Sequence, residues 1–248
     1  MSSAISIRDL SFNYPGSETP LFSGFNLEIG KGERFGLFGQ NGAGKTTLMN
    51  LMTGLLEARH GSIVLEGHKI TNNHKVINRL FGLVPQELSF YQELTPVQNL
   101  DFFGACSGLS RHEIKRRTDT LLTVLDLKTV KDKPVEKFSG GMKRRVNLAI
   151  GVIHNPPLLF LDEPTVGVDI QTRVAIIRYL KELNATGTTL IYTSHQLSEA
   201  ESLCNRIAMI DDGRLVAHDD LQSLLASHGH TGLEGLFINL TGNSENPQ

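Results

Sequence analysis

Apolar and polar residues alternate in two N-terminal stretches, ISIRDLSFNY and LFSGFNLEIGKGERFGLFG, which are separated by the turn-rich PGSETP. Alternation with a period of two predicts strands joined by a hairpin or loop. A helix is expected after GAGK, ending near Gly54. The segment GSIVLEGHKI then predicts two short strands about a turn at Glu66-Gly67, and RLFGLVPQ predicts another strand.

The pattern changes to helical spacing from about Thr95 to His154, in TPVQNLDFFGACSGL, SRHEIKRRTDTLLTVLDL and SGGMKRRVNLAIGVI. Beyond it, PLLFLDEP and TTLIYTSH are apolar runs typical of strands buried on both faces of a parallel sheet, and IQTRVAIIRYLKELNATG between them is an amphipathic helix. Together they predict a βαβ unit, and therefore a parallel α/β core with an antiparallel N-terminal β subdomain beside it and an α-helical insertion after Gln86.

The predicted boundaries are an α/β core at about 1–86 and 155–225, a helical subdomain at about 87–154, and a short C-terminal tail at 226–248. Positions 1–225 would form a single domain. The final TGNSENPQ is polar enough to predict a disordered end.

Composition and charge argue against several classes of function. The 248 residues are 40% hydrophobic and 20% charged, with a net charge of -2. That balance argues against a nucleic-acid partner, which requires a basic surface. The short basic runs Arg116-Arg117 and Lys143 to Arg145 are interpreted as solvated helix faces. MSSAISIRDL resembles no leader, and the chain has no long apolar window, so we expect a cytoplasmic protein.

The stretch LFGQNGAGKTTLMNL contains the pattern G-x-x-x-x-G-K-[ST], which predicts a phosphate-binding loop between a strand and a helix. Its backbone N–H groups would surround an anion at the helix N-terminus. Lys45 would reach the outer phosphates of a nucleoside triphosphate, and Thr46 would supply a hydroxyl to Mg²⁺. The predicted contact residues are Gly39, Gln40, Asn41, Gly42, Ala43, Gly44, Lys45, Thr46 and Thr47.

An acidic pair ends the apolar run LLFLDEPT. Asp162 would hold Mg²⁺ and Glu163 would act as general base for a water that attacks the γ-phosphate. Neighbouring side chains on a strand face opposite ways, so we expect Pro164 to provide the turn that brings both carboxylates to the ligand. His195 ends the next apolar run and should reach the same edge of the sheet.

A second anion site is predicted where Ser139, Gly140 and Gly141 begin a helix. The helical insertion should hold this site away from the first. We therefore predict a head-to-tail pair of chains in which the Ser139 segment of each chain closes the ATP site of the other.

These motifs, together with Gln86 and TVGVD, occur in the order and spacing of the ATP-binding subunits of ABC transporters, which this chain resembles over about residues 4 to 225. SGGMKRR, VPQELSFYQELTPVQNLDFF and GLEGLFINLTG resemble the ABC-2-type export ATPases, including the drug- and polysaccharide-export group. The resemblance implies a P-loop NTPase fold with a RecA-like core. One departure is Met142, where the family's commonest signature has Gln.

The resemblance also implies roles for further residues. Tyr14 would stack on adenine, Gln86 would sense Mg²⁺ and the attacking water, and Asp169 would bridge the two ATP sites of a dimer. Residues 87–98 would lie near the groove for a polytopic membrane permease. The chain would thus hydrolyse Mg-ATP on the cytoplasmic face of a membrane, as a homodimer or paired with a related ATPase subunit.

Two alternatives are weighed. A soluble ABC-type ATPase acting on chromosomes or ribosomes is disfavoured, because only about fifty residues separate Gln86 from the signature and the chain has one nucleotide module. A regulatory module without turnover is disfavoured by Glu163 and His195. The residues do not reveal the cargo.

Overall fold

A computed structural model describes residues 2–71 and 74–242. Two sheets and a set of helices make up this part of the chain. The strands are β1 (Ser3–Phe12), β2 (Phe22–Gly30), β3 (Arg34–Phe38), β4 (His60–Leu65), β5 (His68–Lys69), β6 (Phe81–Val84), β7 (Leu158–Asp162), β8 (Thr189–Thr193), β9 (Arg206–Asp211) and β10 (Arg214–Asp220). The helices are α1 (Lys45–Met52), α2 (His74–Leu80), α3 (Pro96–Cys106), α4 (Arg111–Val124), α5 (Gly140–Val152), α6 (Ile170–Ala185), α7 (Leu197–Leu203), α8 (Leu221–Ser227) and α9 (Leu233–Gly242).

The larger sheet has the strand order β10-β9-β3-β8-β7-β6 and is parallel except for β10. Every residue of β7 and β8 is buried. Alternate residues of β7 face opposite cores: Leu159 and Leu161 join one, whereas Leu158 and Phe160 join the other. The sheet is therefore covered on both faces, as its continuous apolar runs predict.

The smaller sheet is antiparallel, in the order β2-β1-β4-β5. Its apolar side chains, including Ile5, Ile7 and Leu27, pack with α1 and with one face of the large sheet. The predicted antiparallel N-terminal sheet is confirmed. It lies on the side of the core that carries the loop between β3 and α1.

Three long helices, α3 to α5, follow β6 with only 3₁₀ turns at Lys128–Val130 and Val135–Lys137 between them. Thr95 and Ser110 begin α3 and α4 with reciprocal capping boxes. These caps satisfy N–H groups that a helix leaves without partners. Both helix starts follow directly from the sequence TPVQ and SRHE.

Arg117 and Arg145, one from each basic run, do not lie on a solvated face as expected, whereas Arg116 is exposed. The guanidinium of Arg117 donates to the carbonyls of Val152 and Ile153 at the end of α5. Arg145 donates to the carbonyl of Leu125 at the end of α4, at 3.1 Å. Both arginines thus donate to carbonyls at a helix C-terminus, where the helix itself supplies no N–H partner. Each guanidinium therefore joins two helices.

The predicted disordered end begins at position 241, but α9 extends through position 242. Residues 243–248 lie outside the described residues. Leu233 and Leu236 of α9 are buried in the main core, and Leu233 donates its N–H to Glu201. This helix therefore packs against the domain.

Candidate functional site

The loop between β3 and α1 follows the predicted phosphate-binding pattern. Gly44 has φ +105° immediately before the first helical residue, a conformation that favours glycine. A Cβ on Gly39 would lie 2.2 Å from the carbonyl oxygen of Ile210, so no side chain fits there. The first glycine is required by the packing of the loop against β9, and the third by the turn into the helix.

Lys45 begins α1 and is largely buried. Its Nζ donates to the carbonyls of Gly39 and Gln40 at 2.8 and 2.9 Å. Burial lowers the pKa of this ammonium, while the carboxylates of Glu163 and Asp162 act in the opposite direction. The lysine is held inside its own loop, with two acidic groups close by.

The turn at the end of β7 occurs one residue before the predicted position. Glu163, rather than Pro164, adopts the left-handed conformation, with φ +49°. This strained backbone is held in place because the Glu163 N–H donates to Oγ1 of Thr193 at 3.1 Å. Asp162 and Glu163 consequently both reach the carboxyl edge of the sheet.

Asp162 contacts two hydroxyl groups. Thr46 donates to its Oδ2 at 3.2 Å, and Thr193 donates to its Oδ1 at 2.7 Å. The predicted pair of Thr46 and Asp162 is therefore brought together, 116 residues apart in the chain. Their oxygens are hard ligands of the kind that Mg²⁺ prefers.

Glu163 contacts the two other predicted catalytic side chains. Nε2 of Gln86, just after β6, donates to Oε2 of Glu163 at 3.2 Å. Nε2 of His195, just after β8, lies 2.5 Å from Oε1. Glu163 is 7% exposed overall, whereas the His195 side chain is 51% exposed. The carboxylate is thus enclosed and oriented from two sides, with the histidine open to solvent.

Lys45, Gln86, Glu163 and His195 line one cleft of about 1090 Å³. Tyr14 forms part of its wall, with its ring edge-on to Phe12 and its hydroxyl 2.8 Å from Oγ1 of Thr47. The predicted residues that line the cleft are Tyr14, Asn41, Gly42, Gly44, Lys45, Thr46, Thr47, Gln86, Glu163 and His195. Gly39, Gln40, Ala43 and Asp162 are not among the lining residues, but the carbonyls of Gly39 and Gln40 accept from Lys45 and Asp162 accepts from Thr46.

The remaining predicted residues lie elsewhere. Ser139 caps α5, accepting from the N–H of Met142 at 3.3 Å. Asp169 caps α6, accepting from the N–H of Thr172 at 2.9 Å, and this bond holds its pKa below the usual value. A Cβ on Gly141 would touch Thr172 and Asp169. The signature and TVGVD segments therefore meet each other, outside the cleft that Lys45 lines.

The chain matches a known protein family. The model described as ABC transporter matches residues 22–166, which is more than half of the chain. The chain belongs to the ABC transporter family. The match includes both the phosphate-binding loop and the acidic end of β7.

Similar proteins include export and resistance ATP-binding proteins. The linearmycin resistance ATP-binding protein LnrL of Bacillus subtilis (strain 168) is 44% identical over 79% of this ABC chain and 63% of its own length. The Nod factor export ATP-binding protein I of Cupriavidus pinatubonensis (strain JMP 134 / LMG 1197) is 39% identical over 85% of this chain and 65% of its own. The chain thus spans less than two thirds of the length of these curated relatives.

Solved structures confirm the ABC ATPase fold. The structure of an ATP-binding subunit of an ABC transporter superimposes with a TM-score of 0.88 at 29% identity, over 96% of this chain and 99% of that one. In the described part of this ABC chain, no helix is both long enough and apolar enough to cross a membrane.

Two contributors to the site were not predicted. Thr193 contacts both Asp162 and the Glu163 backbone, and its place in TTLIYTSH, two residues before His195, was the available signal. Arg144 donates to the carbonyl of Gln86 at 2.5 Å and so ties α5 to the segment that carries Gln86. No sequence pattern pointed to this contact, because it joins residues 58 apart.

Proposed function

We propose that this chain is the ATP-hydrolysing subunit of an ABC transporter and powers export across a membrane through a separate permease subunit. One observation carries the proposal: Glu163, held by Gln86 and His195, faces a cleft that also contains Lys45 and the phosphate-binding loop. A binding module without turnover would not require an enclosed carboxylate at this place.

Binding of ATP would use the whole cleft. The loop N–H groups and the N-terminus of α1 would surround the phosphates, because both present positive partial charge. Lys45 would exchange its bonds to the Gly39 and Gln40 carbonyls for bonds to the outer phosphates. Tyr14, 45% exposed at the cleft wall, would stack on adenine.

The oxygens of Thr46 and Asp162 fit Mg²⁺, since a hydroxyl and a carboxylate there already lie within 3.2 Å. Gln86 would contact Mg²⁺ or a water molecule bound to it. When bound, Mg²⁺ supplies positive charge against the phosphate oxygens. Among residues 2–71 and 74–242, no cluster of three or more His, Cys, Asp or Glu side chains could hold a metal ion.

Glu163 would accept a proton from water as the water oxygen bonds to the γ-phosphorus and the bond to the β,γ-bridging oxygen breaks. His195 and Gln86 would orient the carboxylate and the water. The general base works only if it is enclosed yet faces the cleft, and Glu163 meets both requirements.

The ATP site would be completed by a second copy of the chain or by a related ATPase subunit. Ser139, Gly140 and Gly141 would close the partner's site, and Asp169 would bridge the two sites. Ser139, Gly140, Gly141 and Asp169 are not among the residues that line the cleft of their own chain, which supports this arrangement. The helical subdomain, at about 87–154, would offer residues 87–98 to the permease on the cytoplasmic face. Within the predicted C-terminal tail, 226–248, α9 instead packs on the main core through Leu233 and Leu236.

The test measures phosphate release from Mg-ATP and asks where the chain is found. The chain, expressed with its neighbouring genes, should hydrolyse ATP and copurify from solubilised membranes with a polytopic protein. Copurification with ribosomes or chromosomes instead would favour a soluble ABC-type ATPase. Absence of phosphate release from the membrane complex would contradict the proposal.

A further inference from the structure

One buried carboxylate lies at the junction of three segments that approach the ATP site, yet takes no part in the proposed chemistry. Glu199, in the first turn of α7, is 6% exposed. Burial of a charged side chain is costly unless several partners satisfy it. The partners that satisfy Glu199 therefore indicate which segments this carboxylate holds together.

The first two partners are hydroxyl groups. Thr165, two residues after Glu163, donates to Oε2 of Glu199 at 2.5 Å. Tyr192, three residues before His195, donates to the same oxygen at 2.7 Å. Burial raises the pKa of the Tyr192 phenol, so this hydroxyl keeps its proton and remains a donor.

The third partner is Arg173, in the first turn of α6. Its Nε lies 2.9 Å from Oε1 of Glu199, although the N–H does not point at the oxygen, so the contact is an ion pair rather than a hydrogen bond. The backbone N–H of Arg173 donates to the carbonyl of Asp169 at 3.0 Å. The carboxylate thus connects the helix that Asp169 begins to the helix that follows His195.

We propose that Glu199 is a positioning residue that fixes Glu163 and His195 relative to the Asp169 segment, which would contact a second chain. The inference rests on the proposed ATP hydrolysis. A single carboxylate anchors the turn after the general base, the strand before the histidine and the start of α6. A movement of Asp169 on pairing of two chains would therefore be transmitted to both side chains that face the γ-phosphate.

Two substitutions separate the contacts. Glu199→Gln preserves an oxygen that can accept from Thr165 and Tyr192 but removes the ion pair with Arg173. Arg173→Gln removes the same ion pair from a half-buried position, and Arg173→Lys retains a cation there. Misplacement of a reacting group by about 1 Å can cost about 100-fold in rate. We expect both Gln variants to lower kcat by roughly 10- to 100-fold with KM for ATP changed less than about 3-fold.

The matched control is Glu33→Gln. Glu33 and Arg206 form an ion pair of similar burial at 3.1 Å, but they lie at the amino ends of β3 and β9, on the opposite edge of the sheet from the cleft. Thermal unfolding of every variant is recorded beside its kinetics. A merely structural role would give Glu199→Gln and Glu33→Gln equal losses of stability and equal, small changes in kcat.

The expected result is a fall in kcat for Glu199→Gln and Arg173→Gln that Glu33→Gln does not show, with substantial recovery in Arg173→Lys. Unchanged kcat in both Gln variants, or a change confined to KM, would overturn the inference while leaving the proposed function intact. If Glu199→Gln does not fold, kcat of Arg173→Gln and Arg173→Lys alone tests the inference. An active site that never releases phosphate, even in the parent chain, would overturn both proposals.

Discussion

Nε2 of His195 lies 2.5 Å from Oε1 of Glu163, and the two residues follow neighbouring parallel strands. The contact depends on the sheet: β7 pairs Asp162 with Thr193 of β8, so the residues just beyond these strand ends come together. A carboxylate held in this way has a fixed orientation at the cleft, and that orientation depends on the neighbouring histidine.

Glu163→Gln tests the general base. The amide retains the size of the side chain and one oxygen that can accept from Gln86 or His195, but it cannot accept a proton from water. We expect the rate of phosphate release to fall by about 10²- to 10⁴-fold, the usual loss for a deleted acid–base group. Equilibrium binding of Mg-ATP should persist, and the trapped nucleotide should hold two chains together in light scattering. Hydrolysis at the parent rate would exclude Glu163 as the base.

Lys45→Ala tests the phosphate contact. Loss of the ammonium should weaken binding of a fluorescent ATP analogue by roughly 10- to 100-fold, the value of a charge-assisted hydrogen bond of about 1.5–3 kcal/mol. The control is Lys69→Ala, which removes an exposed lysine of β5. An affinity equal to that of the control would contradict the role of Lys45.

The stability of Lys45→Ala is a separate measurement. A lysine in a nucleotide-binding loop is expected to be exposed, but Lys45 is 8% exposed and bonds to two loop carbonyls. Its removal should therefore also lower the thermal midpoint without nucleotide, because the two carbonyls lose their donor.

Gly140 and Gly141 give contrasting predictions. A Cβ on Gly141 would lie 3.0 Å from Oγ1 of Thr172, whereas the nearest atom to one on Gly140 is the Gly167 carbonyl oxygen at 3.8 Å. Gly140→Ala should therefore fold as stably as the parent, or more so since Ala favours a helix. Gly141→Ala should be less stable. Thermal unfolding checks both.

Activity is the informative readout for Gly140→Ala. The chain itself leaves room for a methyl group, so only a ligand or a second chain could require glycine at this position. We expect ATP hydrolysis to fall in this stable variant. Full activity would remove the reason to place the Gly140 N–H against a nucleotide.

Most side chains at the carboxyl edge of the large sheet could be predicted, because each belongs to a local sequence pattern. These patterns are the glycine-rich loop with Lys45, the acidic pair after one apolar strand, and the histidine after the next apolar strand. The hairpin of β9 and β10 was missed, although the sequence has Asp212-Gly213 between the apolar stretches 207–210 and 215–217. Both residues have positive φ in the structure. Asp-Gly between such runs is a strong hairpin signal. That omission also hid the strand that packs against Gly39.

Contacts between side chains that belong to no recognised motif could not be predicted in this way. Arg144 lies in a basic run that the sequence suggests is solvated, but it donates to the carbonyl of Gln86. The network around Glu199 joins Thr165, Arg173 and Tyr192 from three elements. No periodicity encodes which side chains meet once helices pack on a sheet, so such partners appear only in the folded chain.

The proposed composite ATP site, shared between two chains, leads to a prediction about pairs of inactive chains. Lys45→Ala damages the phosphate loop, and Ser139→Arg places a bulky side chain at the N-terminus of α5. In a mixed pair, one site combines both damaged segments, whereas the other combines an intact loop with an intact Ser139. If chains exchange freely and one site can act alone, an equal mixture should restore up to about a quarter of the parent activity by random pairing.

The controls decide how a negative result is read. Each variant alone is assayed at the same total concentration, and so is a mixture of Lys45→Ala with Glu163→Gln, which leaves no intact site because both defects lie in the same cleft. ATP-dependent pairing is recorded in the same samples. Strict coupling between sites would allow pairing without turnover. If neither activity nor nucleotide-dependent pairing exceeds the sum of the separate variants, the two segments do not meet across chains. The proposal that the Ser139 segment of one chain closes the ATP site of the other would then be wrong.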